Sequence, residues 1–231
     1  MNIALVIAGG SGQRMHKEIP KQFLNVYDKP VVIYTLEAFQ NHPSIDAIEV
    51  VCIEGWEAIL RAYAKQYGIT KLENVVVGGA NGQDSIRNGV TDIATRHSGD
   101  DLVLVHDGNR PLVSQDIISD SIRVATKYGN ACAAIACTEV VFVTHDGISS
   151  QKQLSRDELV RTQTPHTTTV KHLVEMHKKA LERGITSSVA TCALLVELGE
   201  EVYLSLGSEK NFKLTTIGDL DIFKALLTVK N

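Results

Sequence analysis

The 231-residue sequence has no Lys/Arg block, and its formal net charge is −4. It therefore carries no broad electrostatic footprint for nucleic acid, and any phosphate binding must be local. The four cysteines, Cys52, Cys132, Cys137 and Cys192, form no C-x-x-C pair and sit in apolar runs. Buried reduced thiols are expected, in preference to disulfides or a zinc site. The eight histidines show no metal-ligand spacing and are expected at the surface or hydrogen-bonded. Residues 1–8 are apolar but have no basic leader and no cleavage site, and the run is too short to span a bilayer. This predicts a buried strand in a cytoplasmic protein with no membrane partner. No Pro/Ser/Gly linker, repeat or low-complexity tract interrupts residues 1–231, so one domain is expected. At 44% hydrophobic and 22% charged, the chain has enough apolar residues to build its own core.

What is present is an alternation. Residues 3–7 form an apolar run without polar interruption, as for a strand buried on both faces. Further strands are predicted over 48–52, 74–77, 102–105 (ending at His106-Asp107) and 131–136. Helix-period segments over 30–41, 56–67, 84–94 and 114–128 alternate with them. Repeated strand and helix mean right-handed βαβ units and a mostly parallel sheet, α/β in class. Ligands in such sheets bind beyond the carboxyl ends of the strands. The pattern breaks over 139–156. There residues 140–143 read as a strand and His145-Asp146-Gly147 as a hairpin turn, an arm over roughly 138–160. Helical patterns return over 170–183 and 188–198, and a terminal helix is predicted over 219–229.

Three motifs carry chemistry. The first is Ala8-Gly9-Gly10-Ser11-Gly12-Gln13-Arg14-Met15, followed by Pro20-Lys21-Gln22-Phe23. Its glycines let backbone approach a phosphate closely, and Arg14 and Lys21 add two cations suited to a triphosphate. No Gly-Lys-Ser/Thr follows, so it is not a Walker A loop. Position 15 is Met where a Rossmann fingerprint needs its third glycine. The second is His106-Asp107-Gly108-Asn109-Arg110-Pro111 at the end of a predicted strand, where Asp107 suits a metal or ribose contact or, structurally, a turn. The third is Asn211-Phe212-Lys213-Leu214-Thr215-Thr216 with Asp219. Thr215 or Thr216 would cap the last helix and Asp219 would favour its N-terminus, but capping does not account for Lys213.

With Gly78-Gly79, Ser85-Ile86 and Gln163-Thr164-Pro165 in the same order, these motifs resemble the polyol-phosphate cytidylyltransferases, over residues 3–226. That family includes methylerythritol-phosphate and ribitol-5-phosphate cytidylyltransferases. The resemblance implies a Rossmann-like sheet of the nucleotide-diphospho-sugar transferase type, with helices around it and a projecting β-arm. It implies CTP and a polyol or sugar phosphate as substrates, Mg²⁺ held mostly by the nucleotide, and a homodimer through the arm. Arg14, Lys21 and Lys213 would be catalytic. Ala8, Gly9, Gly10, Ser11, Gly12, Gly79, Ala80, Ser85 and Asp107 would bind the nucleotide. Asp107, Arg110, Arg156, Thr186 and Thr215 would meet the acceptor, with Asp107 near the metal. An ionised acceptor phosphate needs no general base near neutral pH, so alignment and charge neutralisation would carry catalysis.

The chain departs from the family at several points. Ala8-Gly9-Gly10 follows the ribitol-phosphate branch, where the other branch more often has Ala-Ala-Gly. Gly82 stands where an Arg is usual, Gly108-Asn109 replaces Ala-Ala or Ala-Val, Ser187 replaces Asp, and Val140 stands near an expected Asp-Thr pair. A ribitol 5-phosphate-type acceptor is therefore expected. Methylerythritol phosphate, another NTP, or a non-catalytic nucleotide-binding role are the competing readings.

Overall fold

The computed structural model describes residues 1–10 and 19–228. A seven-stranded sheet lies at its centre, in the order β11-β7-β10-β6-β1-β4-β5. The strands are β1 (Asn2–Ala8), β4 (Ala47–Cys52), β5 (Leu72–Val77), β6 (Leu102–Asp107), β7 (Asn130–Ala136), β10 (Val160–Thr169) and β11 (Leu204–Leu206). A small hairpin, β2 (Asn25–Val26) with β3 (Lys29–Pro30), precedes the first helix. The helices are α1 (Val31–Gln40), α2 (Glu57–Gln66), α3 (Gly82–Ile93), α4 (Gln115–Tyr128), α5 (Val170–Glu182), α6 (Thr191–Glu197) and α7 (Ile217–Thr228).

The unbroken apolar strands are explained by helices on both faces. Ala4, Val6 and Ala8 of β1 point to one core with Leu36, Phe39, Leu60 and Ile117. Ile3 and Leu5 point to the other, with Val90, Ile93, Leu173 and Met176. Each such fully buried Val, Leu, Ile, Met or Phe side chain contributes about 1.5–3 kcal/mol. Glu49 on β4 is the exception: it is buried and paired with Arg96. Burial pushes its carboxyl up to about 8, although Arg96 draws it down.

Helix ends follow their sequence signals. Ser114 caps α4 by accepting a bond from the Ile117 N–H, and α4 ends at Gly129 with φ of +93°. Asp219 Oδ2 accepts from the Thr215 and Thr216 N–H groups at 2.7 Å, while Asp219 N donates to Thr216 Oγ1. This reciprocal box fixes the start of α7.

The sheet is mostly parallel, as expected, with β10 running antiparallel to both neighbours. The sequence reading placed no strand over 160–169 and none at β11, and set the arm's end at about residue 160. Strand β10 is not an apolar run: it reads Val-Arg-Thr-Gln-Thr-Pro-His-Thr-Thr-Thr, yet residues 163–168 are buried. Its hydroxyls are satisfied locally, with Thr167 Oγ1 at 2.6 Å from Ser121 Oγ and Thr168 Oγ1 donating to the Gly129 carbonyl. Hydropathy cannot see such a strand. Elsewhere the bounds shift by a few residues: α3 starts at Gly82 and α6 at Thr191. The arm is present as β8 (Val141–Val143) paired with β9 (Lys152–Leu154). Its loop is longer than a two-residue Asp-Gly turn. Asp146 Oδ1 accepts from the Ile148 and Ser149 N–H groups, and Gly147 has φ of +72°.

Candidate active site

Several segments meet beyond the carboxyl ends of β1, β5 and β6 and line a cavity of about 680 Å³. Ala8, Gly9 and Gly10 leave β1. The buried Gln22 carboxamide donates to the Ala8 carbonyl at 2.6 Å and to that of Gly10 at 3.0 Å. The same short 3-10 turn, Lys21–Phe23, stacks Phe23 on Trp56 and sets Lys21 on the cavity wall. From β5, the turn through Gly79 and Ala80 packs against the first turn of α3. A Cβ at Gly79 would lie 2.3 Å from that of Asp84, so only glycine fits. Ser85 Oγ accepts from the Gly79 N–H and donates to the Asn81 carbonyl, so it shapes this turn as well as lining the cavity.

The end of β6 supplies the charge. Asp107 Oδ1 meets Lys213 Nζ at 2.9 Å, and Oδ2 meets Arg110 Nε at 2.9 Å. Burial alone would raise this carboxyl; Lys213 and Arg110 outweigh it and hold it well below the usual range. Two cations around one carboxylate leave a net positive charge, and Lys21 adds to it. The neighbouring His106 is fully buried, and burial lowers its imidazole to about 4. It stays neutral, with Nε2 donating to the Arg110 carbonyl and Nδ1 facing Thr164 Oγ1 at 3.0 Å.

Lys213 is held in place by its neighbours. Asn211 Nδ2 donates to the Thr164 carbonyl at 2.8 Å, and the Asn211 carbonyl accepts from Arg110 Nη1. Asn109 Nδ2 donates to the Leu214 carbonyl, and the Leu214 N–H returns a bond to Asn109. Buried amides thus stitch the segment before and after Lys213 to β10 and β6. Thr35 of α1 secures the turn between them through the Gly108 carbonyl at 2.9 Å.

Among the expected site residues, Ala8, Gly9, Gly10, Lys21, Gly79, Ala80, Ser85, Asp107, Arg110 and Lys213 all line this cavity. Ser11, Gly12 and Arg14 lie outside the described residues. Three others stand apart from the lining. Arg156 is exposed on a 3-10 turn between β9 and β10. Thr186 is exposed, its carbonyl accepting from Asn81 Nδ2 at 3.1 Å. The Thr215 hydroxyl is spent on Asp219. Sequence reading assigned no role to Gln22, Gln83, Asn109 or Asn211, although each stands in or beside a quoted motif. The buried Gln83 clamps the 185–188 loop, donating to the Ile185 carbonyl and accepting from the Ser188 N–H, both at 2.7 Å. The expectation of exposed or hydrogen-bonded histidines fails at two positions. His166 Nε2 and both ring nitrogens of His177 are buried without a partner, and both residues line the cavity.

Among the described residues, magnesium finds little protein ligation here: the lining carboxylates are Asp107 and Glu54, and both Asp107 oxygens are engaged by cations. This is not the oxygen cage of a protein-held ion. Among the described residues, no helix is long and apolar enough to cross a membrane.

The family model for 2-C-methyl-D-erythritol 4-phosphate cytidylyltransferase matches residues 2–229. The ribitol-5-phosphate cytidylyltransferase of Lacticaseibacillus paracasei is 40% identical over 100% of this chain and 99% of its own. The 2-C-methyl-D-erythritol 4-phosphate cytidylyltransferase of Clostridium novyi is 35% identical, over 98% and 96%. The solved structure of the Francisella tularensis 2-C-methyl-D-erythritol 4-phosphate cytidylyltransferase superposes with a TM-score of 0.79 at 26% identity, over 97% and 99%. By these matches over nearly its whole length, the chain belongs to the polyol-phosphate cytidylyltransferase family of CTP-dependent nucleotidyltransferases.

Proposed function

We propose that this chain joins CTP to ribitol 5-phosphate in the cytoplasm, giving CDP-ribitol and pyrophosphate for wall or capsule polysaccharide. The observation that carries the reaction type is the convergence of Lys21, Lys213 and Arg110 on one cavity, with Asp107 fixing two of them. An acceptor phosphate oxygen attacks the α-phosphorus in line. The new P–O bond forms as the bond to the bridging oxygen breaks, and pyrophosphate carries away that electron pair. No proton need move. The ammonium and guanidinium groups bind the phosphates, offset the repulsion between two anions, and stabilise charge on the transferring group. Lys21, Lys213 and Arg14 would be catalytic. The Gly9-Gly10 turn and Gly79, Ala80 and Ser85 would hold the nucleotide. Mg²⁺, entering with CTP and carried mainly by its phosphates, would supply further charge neutralisation.

Acceptor identity rests on two supports: the Ala8-Gly9-Gly10 loop and the 40% identity to the Lacticaseibacillus paracasei protein. Methylerythritol 4-phosphate is the second reading, favoured by the family model's description and the 35% identity of the Clostridium novyi relative. Arg156 and Thr186 would serve the acceptor from outside the single-chain cavity. Arg156 would do so across a homodimer joined by the arm, on which Val140, Phe142 and Ile148 are 58%, 62% and 90% exposed.

The test is pyrophosphate release with each of the four NTPs and Mg²⁺, against ribitol 5-phosphate, methylerythritol 4-phosphate and other polyol and sugar phosphates. Release with CTP and ribitol 5-phosphate alone is expected. Preference for methylerythritol 4-phosphate would move the chain to the other branch. CTP binding without release on any acceptor would remove the catalytic reading.

A further inference from the structure

Away from the cations, one residue of the cavity wall, His166, belongs to a different kind of cluster. Cys132 on β7 and His166 on β10 are direct cross-strand partners in the antiparallel ladder, so their side chains leave the same face of the sheet. Cys192, near the start of α6, covers them. One ligand atom from each of the three residues lies within 4.8 Å of the others, and all three are buried. Among the described residues this is the one group of three or more His, Cys, Asp or Glu with such geometry.

We propose that Cys132, His166 and Cys192 form a binding site for a thiophilic divalent cation of the Zn²⁺ class, distinct from the magnesium that accompanies the nucleotide.

Three observations support it. First, the donor set is two sulfurs and one imidazole, which selects zinc over magnesium, because Mg²⁺ requires oxygen ligands. Second, the spacing is nearly right: Zn–S bonds of about 2.3 Å in a tetrahedron put two sulfurs about 3.8 Å apart. Atoms already within 4.8 Å need close by only a fraction of a side-chain rotation. Third, His166 is 5% exposed, yet its Nε2 has no hydrogen-bond partner. A buried orphan nitrogen is costly unless something binds it. The adjoining Thr191 Oγ1, on the same cavity wall, is also buried and unpartnered.

With three protein ligands, the fourth position falls to water or to an oxygen of whatever occupies the cavity. Sequence spacing hides the site, since its members are 34 and 26 residues apart along the chain, between 132, 166 and 192. The assignment does not depend on which acceptor is used.

The experiment uses the full chain, reduced with a non-chelating phosphine and stripped of metal. It is titrated with Zn²⁺ against a chromophoric competitor, and separately with Co²⁺. One equivalent of Zn²⁺ per chain and a thiolate-to-cobalt charge-transfer band are expected. Cys192→Ser, Cys132→Ser and His166→Gln should each weaken Zn²⁺ at least 100-fold, and Cys52→Ser should not. In the unmodified protein, which does not depend on the variants folding, Zn²⁺ should slow alkylation of Cys132 and Cys192 relative to Cys52 and Cys137. Absence of a saturating equivalent, unchanged binding in Cys192→Ser, or alkylation unaffected by Zn²⁺ would overturn the proposal. So would a disulfide in the protein as isolated without reductant, two hydrogens lighter and mapped by peptide mass to Cys132 and Cys192.

Discussion

The cation cluster and the arm are built in opposite ways. Around Lys213, the side-chain contacts to the sheet are long-range in sequence: Asn211 reaches β10, Asn109 reaches Leu214, and Arg110 reaches Asn211. In the arm, beyond the single β8–β9 pairing, the polar contacts are among near neighbours, with Asp146 bonded to residues 144, 148 and 149 and Ser150 to Val143. Its Phe142 and Ile148 face outward. The difference teaches where each region gets its order. The first is completed by the folded chain itself. The second leaves large apolar side chains uncovered in the single chain.

The largest effect should come from removing a cation. Lys213→Ala and Lys21→Ala should each lower kcat/KM by about 100- to 1000-fold, the scale for losing one preorganised charge donor. Steady-state pyrophosphate release is the measurement, and activity within a factor of two of the parent would refute the mechanism. Next comes acid. His106 and His177 titrate at about 4 in the fold, both chiefly because burial disfavours the charged ring, against 6.5 unfolded. The unfolded chain therefore takes up protons that the native state refuses. Stability is fully present above pH 6.5 and falls as pH drops through 4, by about 3 kcal/mol for a fully buried ring. The buried Glu49 carboxyl, raised to about 8, acts in the opposite sense, so the comparison is differential: between pH 7.5 and 5 the urea midpoint of His177→Phe should fall less than that of the parent.

Asn211→Ala comes next. It removes a buried donor and should cost about 1–3 kcal/mol of stability, with lower kcat through a displaced Lys213. Loss of stability with kcat intact would mean that the amide holds the chain but not the ammonium. The smallest expected effect on stability is in the arm. Phe142→Asp with Ile148→Asp should leave the unfolding free energy, measured in urea, within about 0.5 kcal/mol of the parent, as for exposed sites. Sedimentation should nevertheless report a lower mass, and the acceptor KM should rise if Arg156 acts across the interface. If the arm variants destabilised the chain as much as Asn211→Ala, the contrast between the two regions would fail.

The legibility of the sequence follows the same division. Strands β1, β4 and β6 could be read because helices on both faces demand unbroken apolar runs. The glycine turn, Asp107, Arg110 and Lys213 could be read because their residue types are unusual at strand ends and in apolar stretches. Strand β10 was hidden because its burial is paid with threonine hydroxyls instead of hydrocarbon. Gln22, Asn109 and Asn211 were silent because an amide's worth lies in the carbonyl it reaches, which a sequence does not record. The Cys132-His166-Cys192 cluster was invisible for a related reason: cross-strand register brings its members together.

The ion pair between Lys213 and Asp107 also bears on how a turnover ends. A lysine with no counter-ion would cling to whichever phosphate came last, and pyrophosphate would leave slowly. Here the carboxylate lies 2.9 Å away and competes for the ammonium throughout. On the proposed reaction, Asp107 recovers Lys213 as pyrophosphate withdraws. The residue that aims the charge at the start of the cycle would then also govern product release, and Asp107→Asn should show itself first as tighter pyrophosphate inhibition.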